Sequence, residues 1–380
     1  MASPSSSSTT IATAVVVLLL LSVLFPHISG TGDCPRRQET GPPTALYIFG
    51  DSFLDSGNNN YINTSTLDRA NFWPYGETFF KFPTGRFSNG RLASDFIAQY
   101  AELPLIPPFL QPGKKRYETG ANFASAGAGA LVETFRGFVI NLRTQLIYYK
   151  KVERWLRRKL GKVEAKTTLS RAVYLFSIGS NDYTSPFLIN STLLNSYPKP
   201  EYVQMVIGNL TLAIREVYRR GGRRFGFINL GDLGCVPAMR VLEPKGNGRC
   251  LGEASELSQL HNVALSKMLS NLEKQLLGFR YSLYDFNRIL RQRMNHPSKY
   301  GFREGKTACC GIGSFRGTFS CGGRRPVKEF ELCNNPKEFV FWDSFHLTEH
   351  FYKQMADEMW AGGPHAVKPR NLRDLFNCFN

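Results

Sequence analysis

The chain has 380 residues, of which 42% are hydrophobic and 20% charged. That balance excludes a disordered or fibrous protein and leaves length for one large core. The formal charge of +17 gathers at 150–162, 215–224 and 288–293. Solvated helix faces account for it, and weak attraction to anionic wall polymers or a membrane surface is its functional reading. No nucleic-acid motif accompanies the charge, so nucleic acid is excluded as a partner.

Residues 1–30 contain no Lys, Arg, Asp or Glu, and 11–25 are almost unbroken apolar sequence. That run is short for a membrane span and fits the core of a signal peptide, with small residues around 29–32 for cleavage. Because no basic residue precedes it, an uncleaved anchor is the alternative. Residues 31–380 are then expected to form a single domain with its core at about 45–360. Three N-x-S/T sequons, at Asn63, Asn190 and Asn209, agree with secretion. So do eight cysteines: Cys34, Cys235, Cys250, Cys309, Cys310, Cys321, Cys333 and Cys378. Their even number in a secreted chain predicts disulfides, with the pairing left open. Zinc is disfavoured because there is no C-x-x-C pair.

In chain order, 41–44 is a loop feeding a buried strand at 45–49, which ends in Gly50-Asp51-Ser52. Residues 57–90 read as a long surface excursion. Leu92, Phe96, Ile97 and Tyr100 have helical spacing within 89–103, with Asn89 as the expected cap. A proline-broken loop covers 104–112. A short strand running into a tight turn is expected in the glycine-rich stretch 120–131. A long helix with a basic outer end follows at 138–160. A second buried strand, 172–178, ends in Gly179-Ser180-Asn181-Asp182. A helix at 198–221, a strand at 225–230, a helix at 253–277 and a strand at 280–286 continue the alternation. It predicts a parallel sheet flanked by helices. The cysteine- and glycine-rich segment 301–336 is expected to be irregular and stapled near the site. A last apolar run, 339–342, precedes Asp343-Ser344-Phe345-His346, and a helix spans 348–360. The tail is expected to be pinned by Cys378.

Ser52 stops a central strand at the carboxyl edge of the sheet, where open α/β folds place their ligands. A serine hydroxyl becomes a useful nucleophile only when a base takes its proton. Five histidines follow the leader: His261, His296, His346, His350 and His365. His346 stands out because Asp343, three residues earlier, can reach its Nδ1–H and fix its tautomer. His350, four residues after His346, has metal-like spacing but no third ligand, and reads as incidental. An oxyanion needs convergent donors. Ser52 can supply its backbone N–H, Gly127 another, and Asn181 a side-chain amide. Taken singly, Gly127 reads as tight packing and Asn181 as a helix cap; their place beside one sheet edge is the argument for them. There is no G-x-S-x-G elbow, phosphate loop or dinucleotide fingerprint, so neither cofactor nor metal is called for.

Four ordered blocks now resemble one family. Phe49-Gly50-Asp51-Ser52-Phe53-Leu54-Asp55-Ser56-Gly57-Asn58 resembles the first block of the GDSL esterase/lipases, the SGNH hydrolases, with Phe53 where the family usually has Leu. Gly120-Ala121-Asn122-Phe123-Ala124-Ser125-Ala126-Gly127 is similar to the second block, Gly179-Ser180-Asn181-Asp182 to the third, and Asp343-Ser344-Phe345-His346 to the last. The resemblance spans roughly 45–360, with Leu347 where many relatives have Pro. It implies a flavodoxin-like three-layer α/β/α fold with a mostly parallel sheet. It further implies Ser52 as nucleophile, His346 as base, Asp343 as its partner, and Ser52, Gly127 and Asn181 as the oxyanion hole. The implied activity is hydrolysis of acyl-ester or lipid substrates through an acyl-serine, by a secreted glycoprotein. The rival readings are a secreted binding or defence protein without turnover, and an acyltransferase using the same acyl-serine.

Overall fold

Continuous apolar runs make strands buried on both faces, as a parallel sheet between two helix layers requires. In the computed structural model these are β1 (Leu46–Gly50), β2 (Gly120–Asn122), β3 (Val173–Ser177) and β4 (Arg224–Ile228), all fully buried, and the half-buried β5 (Arg280–Tyr284). The structure describes residues 45–377 apart from 114, 115, 190 and 245–247. The expected leader at 1–30, the sequon Asn190, and Cys34 and Cys378 lie outside the described residues.

Shorter strands follow: β6 (Glu304–Ala308), β7 (Cys310–Gly311), β8 (Glu331–Leu332), β9 (Phe339–Phe341) and β10 (Val367–Lys368). The main sheet has the order β10-β5-β4-β3-β1-β2. All its pairings are parallel except that of β10 with β5. The core order β2-β1-β3-β4-β5 is the flavodoxin-like doubly wound order, whose topological switch lies beside β1. The segment 301–336, expected to be irregular, contains β6, β7 and β8; β7 pairs with β8 inside it, and β6 pairs with β9 just beyond it.

The principal helices are α1 (Ala93–Tyr100), α2 (Leu142–Leu160), α3 (Lys162–Arg171), α4 (Ser180–Leu188), α5 (Lys199–Arg219), α6 (Gly252–Gln275), α7 (Phe286–Asn295), α8 (Glu349–Ala361) and α9 (Leu372–Asn377). α2 packs on α5 and α5 on α6; α1 packs on α8 and α8 on α9. The face toward α2 carries a cross-strand aromatic ladder, with Tyr47 stacked on Tyr174, Phe49 on Phe176 and Phe176 on Phe227. Tyr149 of α2 closes edge-on over Tyr47 and Phe49. Each such pair adds about 0.5–1.5 kcal/mol beyond its burial. The opposite face is leaner: a side chain at Gly226 of β4 would meet Leu372 of α9 at 2.9 Å.

Several boundaries differ from expectation. Asn89 does not cap α1. That helix starts at Ala93, and the Asp95 carboxylate accepts the Leu92 N–H. The Asn89 Oδ1 instead accepts the Glu349 N–H at 2.8 Å, capping α8 from a distant loop. The long helix begins at Leu142, four residues later than its apolar pattern suggests, because Asn141 caps it by accepting the Thr144 N–H. Helices α3, α4 and α9 and strand β10 are short or weakly periodic and do not stand out from their neighbours in the sequence; α7 has helical spacing at Phe286, Ile289, Leu290 and Met294, and the sequence reading passed over it.

Candidate active site

β1 and β3 end almost in contact. A side chain at Gly50 would meet the Ser177 carbonyl at 2.4 Å, and the next residue, Asp51, donates its N–H to that same oxygen. The buried Gln145 amide accepts the Gly50 N–H and donates to the Gly50 carbonyl, tying α2 to the strand end. The chain then makes a helical turn in which Leu54 and Asp55 both donate to the Asp51 carbonyl. That turn lifts Ser52 out over the switch point. The neighbouring Asp51 carboxyl accepts the Phe53 N–H. Burial, helped by Asp182 and Asp55, pushes it up to about 7.

His346 arrives from the far end of the sequence. After β9 the buried Trp342 donates its N–H to the His346 carbonyl, folding 342–346 into a tight loop. Asp343 Oδ1 accepts the N–H groups of Phe345 and His346 and also faces His346 Nδ1 at 2.8 Å. His346 Nε2 lies 2.8 Å from Ser52 Oγ, across 294 positions of sequence. Ser52, His346 and Asp343 therefore form one hydrogen-bonded chain. Burial alone would raise the Asp343 acid. The His346 imidazole, the Arg325 guanidinium and the Tyr75 hydroxyl outweigh it and hold the carboxyl well below the usual range. The ring of Phe87 packs on the imidazole, with centroids 4.5 Å apart.

The loop after β2 is built from side-chain carboxylates and amides. Asp55 accepts the N–H groups of Gly57, Asn58 and Ala126. Asn58 donates to the carbonyls of Asn122 and Ala124, and Asn59 to that of Ala126. From the other side Asp182 accepts Ala130 N–H, Leu131 N–H and the Thr134 hydroxyl. Between these anchors Gly127 turns at φ +78°, where a Cβ would meet Asp68 Oδ1 at 2.6 Å. Both the packing reading and the donor reading of Gly127 thus have a physical basis. Among the described residues, neither the Ser52 nor the Gly127 N–H has an acceptor. Asn181 sits in the first turn of α4 and does not cap it; one of its amide hydrogens goes to the Ala128 carbonyl. Ser52, Gly127, Asn181 and His346 all line one cavity of about 570 Å³.

The family model described as GDSL-like Lipase/Acylhydrolase matches residues 46–359. The chain belongs to this family. Its sequence is 61% identical over 340 residues to GDSL esterase/lipase 5 of Arabidopsis thaliana, covering 88% of this chain and 87% of that protein. It is 48% identical over 332 residues to a GDSL lipase of Tanacetum cinerariifolium, covering 87% of each. An inactive GDSL esterase/lipase-like protein 25 of Arabidopsis thaliana is 34% identical over 331 residues, covering 87% of this chain and 74% of that one.

In this GDSL chain the remaining histidines stay apart from the cavity. His261 is buried in α6 with Nδ1 on the Tyr183 hydroxyl, and burial pushes it down to about 3. His350 packs on Phe302, His296 ends α7 in solvent, and His365 is exposed. All six described cysteines are paired, as Cys235–Cys250, Cys309–Cys333 and Cys310–Cys321. The last two close the segment beside Trp342, whose carbonyl accepts the Cys310 N–H. Sequence reading missed Gln145, Tyr75 and Arg325, because none carries a local signal of its distant partner. The Asn58-Asn59-Asn60 run was visible as composition, but not as the scaffold of the neighbouring loop. The excursion 57–90 and the segment 301–336 supply Leu67, Phe87 and Phe319 to the cavity lining; Phe135, Leu188 and Val236 come from outside both.

Proposed function

We propose that the protein is a secreted carboxylic-ester hydrolase that works through an acyl-enzyme at Ser52. The observation that carries this reading is the Ser52–His346–Asp343 chain opening into a cavity beside two N–H groups that have no acceptor among the described residues. Family membership alone would not suffice, since one relative is named inactive.

In this reading Ser52 Oγ attacks the ester carbonyl carbon as its proton passes to His346 Nε2. Asp343, held ionised, keeps the Nδ1–H directed toward itself and stabilises the imidazolium. The negative oxygen that develops is met by the N–H groups of Ser52 and Gly127 and the second amide hydrogen of Asn181. Collapse expels the alcohol, which takes the proton from His346. A water then attacks the acyl-serine, giving its proton to His346; the acyl–Oγ bond breaks, the carboxylic acid leaves and Ser52 Oγ takes the proton back from His346. The acyl chain lies along an apolar lining that reaches solvent at a rim of Leu67, Phe138, Leu188, Ile189, Val241 and Leu242, each exposed. That rim favours acyl-lipid esters over small polar ones.

Three disulfides and the exposed sequons Asn63 and Asn209 support secretion, with the leader at 1–30 removed from a single domain at 31–380. No described helix is long and apolar enough to cross a membrane. Attraction to anionic wall polymers or membrane surfaces would draw on the basic residues of α2 and α5 that have no acidic neighbour, since several there are already paired. Lys150 pairs with Glu216, and Arg157 and Arg220 with Glu153.

A p-nitrophenyl ester series of increasing acyl length, run on the wild type and Ser52→Ala, tests the reading. Wild-type turnover should rise with chain length, and the variant should lose on the order of 10⁴–10⁶-fold in kcat. Equal rates for the two proteins would sink it.

A further inference from the structure

The Asp343 carboxylate has a second oxygen, and its surroundings are not explained by the triad alone. Tyr75, in the excursion after β1, is buried and donates its hydroxyl to Asp343 Oδ2 at 2.6 Å. Its ring is clamped edge-on by Phe72, Phe87 and Trp342. Phe87 is also the ring that packs on His346, so one aromatic cluster sets both the donor and the base.

Behind Tyr75 lies Arg325, whose side chain has no solvent exposure at all. Its guanidinium sits 4.0 Å over the Phe319 ring and flanks Phe72 and Tyr75. It donates to the carbonyls of Cys321 and Arg69, and its Nε finds no partner among the described residues. Among the described residues no carboxylate forms an ion pair with it. A cation so deeply buried is costly unless an anion is near. The anions that feel it are Asp343 and Asp68. Apart from Tyr75 and Arg325, Asp343 is faced by His346, by the N–H groups of Phe345 and His346, and by the Tyr352 hydroxyl.

We propose that Tyr75 and Arg325 are positioning residues that extend the triad into an Arg325–Tyr75–Asp343–His346–Ser52 relay. The proposal rests on the ester-hydrolase reading. Tyr75 holds Oδ2 from one side while His346 Nδ1 lies 2.8 Å from Oδ1 and 3.0 Å from Oδ2, so hydroxyl and imidazole together fix the rotation of the carboxyl plane. Arg325 keeps the hydroxyl hydrogen directed at Asp343 and keeps that carboxyl ionised inside a dry pocket. Together they also moderate its basicity. A carboxylate deprived of the Tyr75 hydrogen bond would hold a charged imidazolium more firmly and release it to neutrality only at higher pH.

The test is the pH profile of kcat/KM for wild type, Tyr75→Phe, Arg325→Met and Arg325→Lys, with Ser52→Ala alongside. Tyr75→Phe keeps the clamped ring and removes only the hydrogen bond. It should lower kcat by about tenfold, the size of one hydrogen bond to a charged group, with KM held within about twofold. Its acid limb should move to higher pH. Arg325→Met should shift the limb the same way, and Arg325→Lys, which keeps the charge, should recover part of it. If Tyr75→Phe melts lower but keeps the wild-type limb and kcat, the two residues are only structural and the proposal is overturned, whether or not the Arg325 variants fold. If Ser52→Ala keeps the wild-type rate, the hydrolase reading has failed first and the relay falls with it.

Discussion

Asp343 uses both oxygens at once: Oδ1 accepts two backbone N–H groups, Oδ2 accepts the Tyr75 hydroxyl, and His346 Nδ1 lies within 3.0 Å of both. A neutral amide at this position would satisfy only part of that set and would favour the wrong imidazole tautomer. Asp343→Asn should therefore lower kcat by on the order of 10⁴-fold while leaving substrate affinity nearly unchanged; steady-state kinetics would detect this, and a loss below tenfold would argue against the orienting role. Gly127 is the other residue at which a single atom decides. Its φ of +78° and the 2.6 Å approach to Asp68 Oδ1 leave no room for a Cβ. Gly127→Ala should displace the N–H and cost about 10²-fold in kcat, the scale of one oxyanion donor. A circular-dichroism melt close to the wild type would separate that loss from unfolding. The Asp-x-x-His spacing and the glycine were both legible in the sequence. The Tyr75 hydroxyl was not, because its partner lies 268 residues away.

Among the elements, β1 and β3 set the site by ending together. Gly50→Ala would drive a methyl into the Ser177 carbonyl and separate the two strand ends. A loss of about 1–3 kcal/mol in urea unfolding is expected, with activity falling in parallel as Ser52 moves. Stability equal to the wild type would show that the strands can part without cost. The disulfide Cys310–Cys321 closes a short loop whose Cys321 carbonyl anchors Arg325. Replacing both cysteines by serine should lower stability by about 3 kcal/mol through chain entropy. It should also reproduce the acid-limb shift of Arg325→Met. The strands were legible because a sheet covered on both faces writes unbroken apolar runs. Helix starts were less so. Asn89 resembles a local cap, yet it serves α8: Thr348 caps that helix through the Phe351 N–H, and folding brings Asn89 up to accept the Glu349 N–H that Thr348 leaves.

Across the whole molecule, buried titrating groups set the response to pH. Burial pushes Asp51 up to about 7 and both Asp55 and Asp182 up to about 6, from an ordinary 3.8. The folded chain therefore takes up these three protons before the unfolded chain does, so stability from them grows as pH falls toward the ordinary carboxylate range and is lost as pH rises through 6 to 7. His261 acts the other way. Buried and held down at about 3, it stays neutral while its unfolded counterpart gains a proton below 6.5. Asp343, held low, adds stability above 3.8 that disappears in stronger acid. With three groups against one, the melting temperature should rise from about pH 8 to about pH 5 and drop again in stronger acid. Asp51→Asn should flatten the rise in a pH series of thermal melts; a wild-type midpoint that falls over the same interval would contradict the assignment. By itself the sequence determined the doubly wound class, the four motif blocks and the candidates Ser52, Asp343 and His346, because buried strands and the turns that follow them are local patterns a few residues long. Only the tertiary structure decided what surrounds them: the Gln145 clasp, the asparagine scaffold under Gly127, the apolar rim, and the Tyr75 and Arg325 contacts behind Asp343. Those are hydrogen bonds and ring contacts between segments far apart in the chain. Such pairings follow no period and leave no mark on either partner until packing brings the two together.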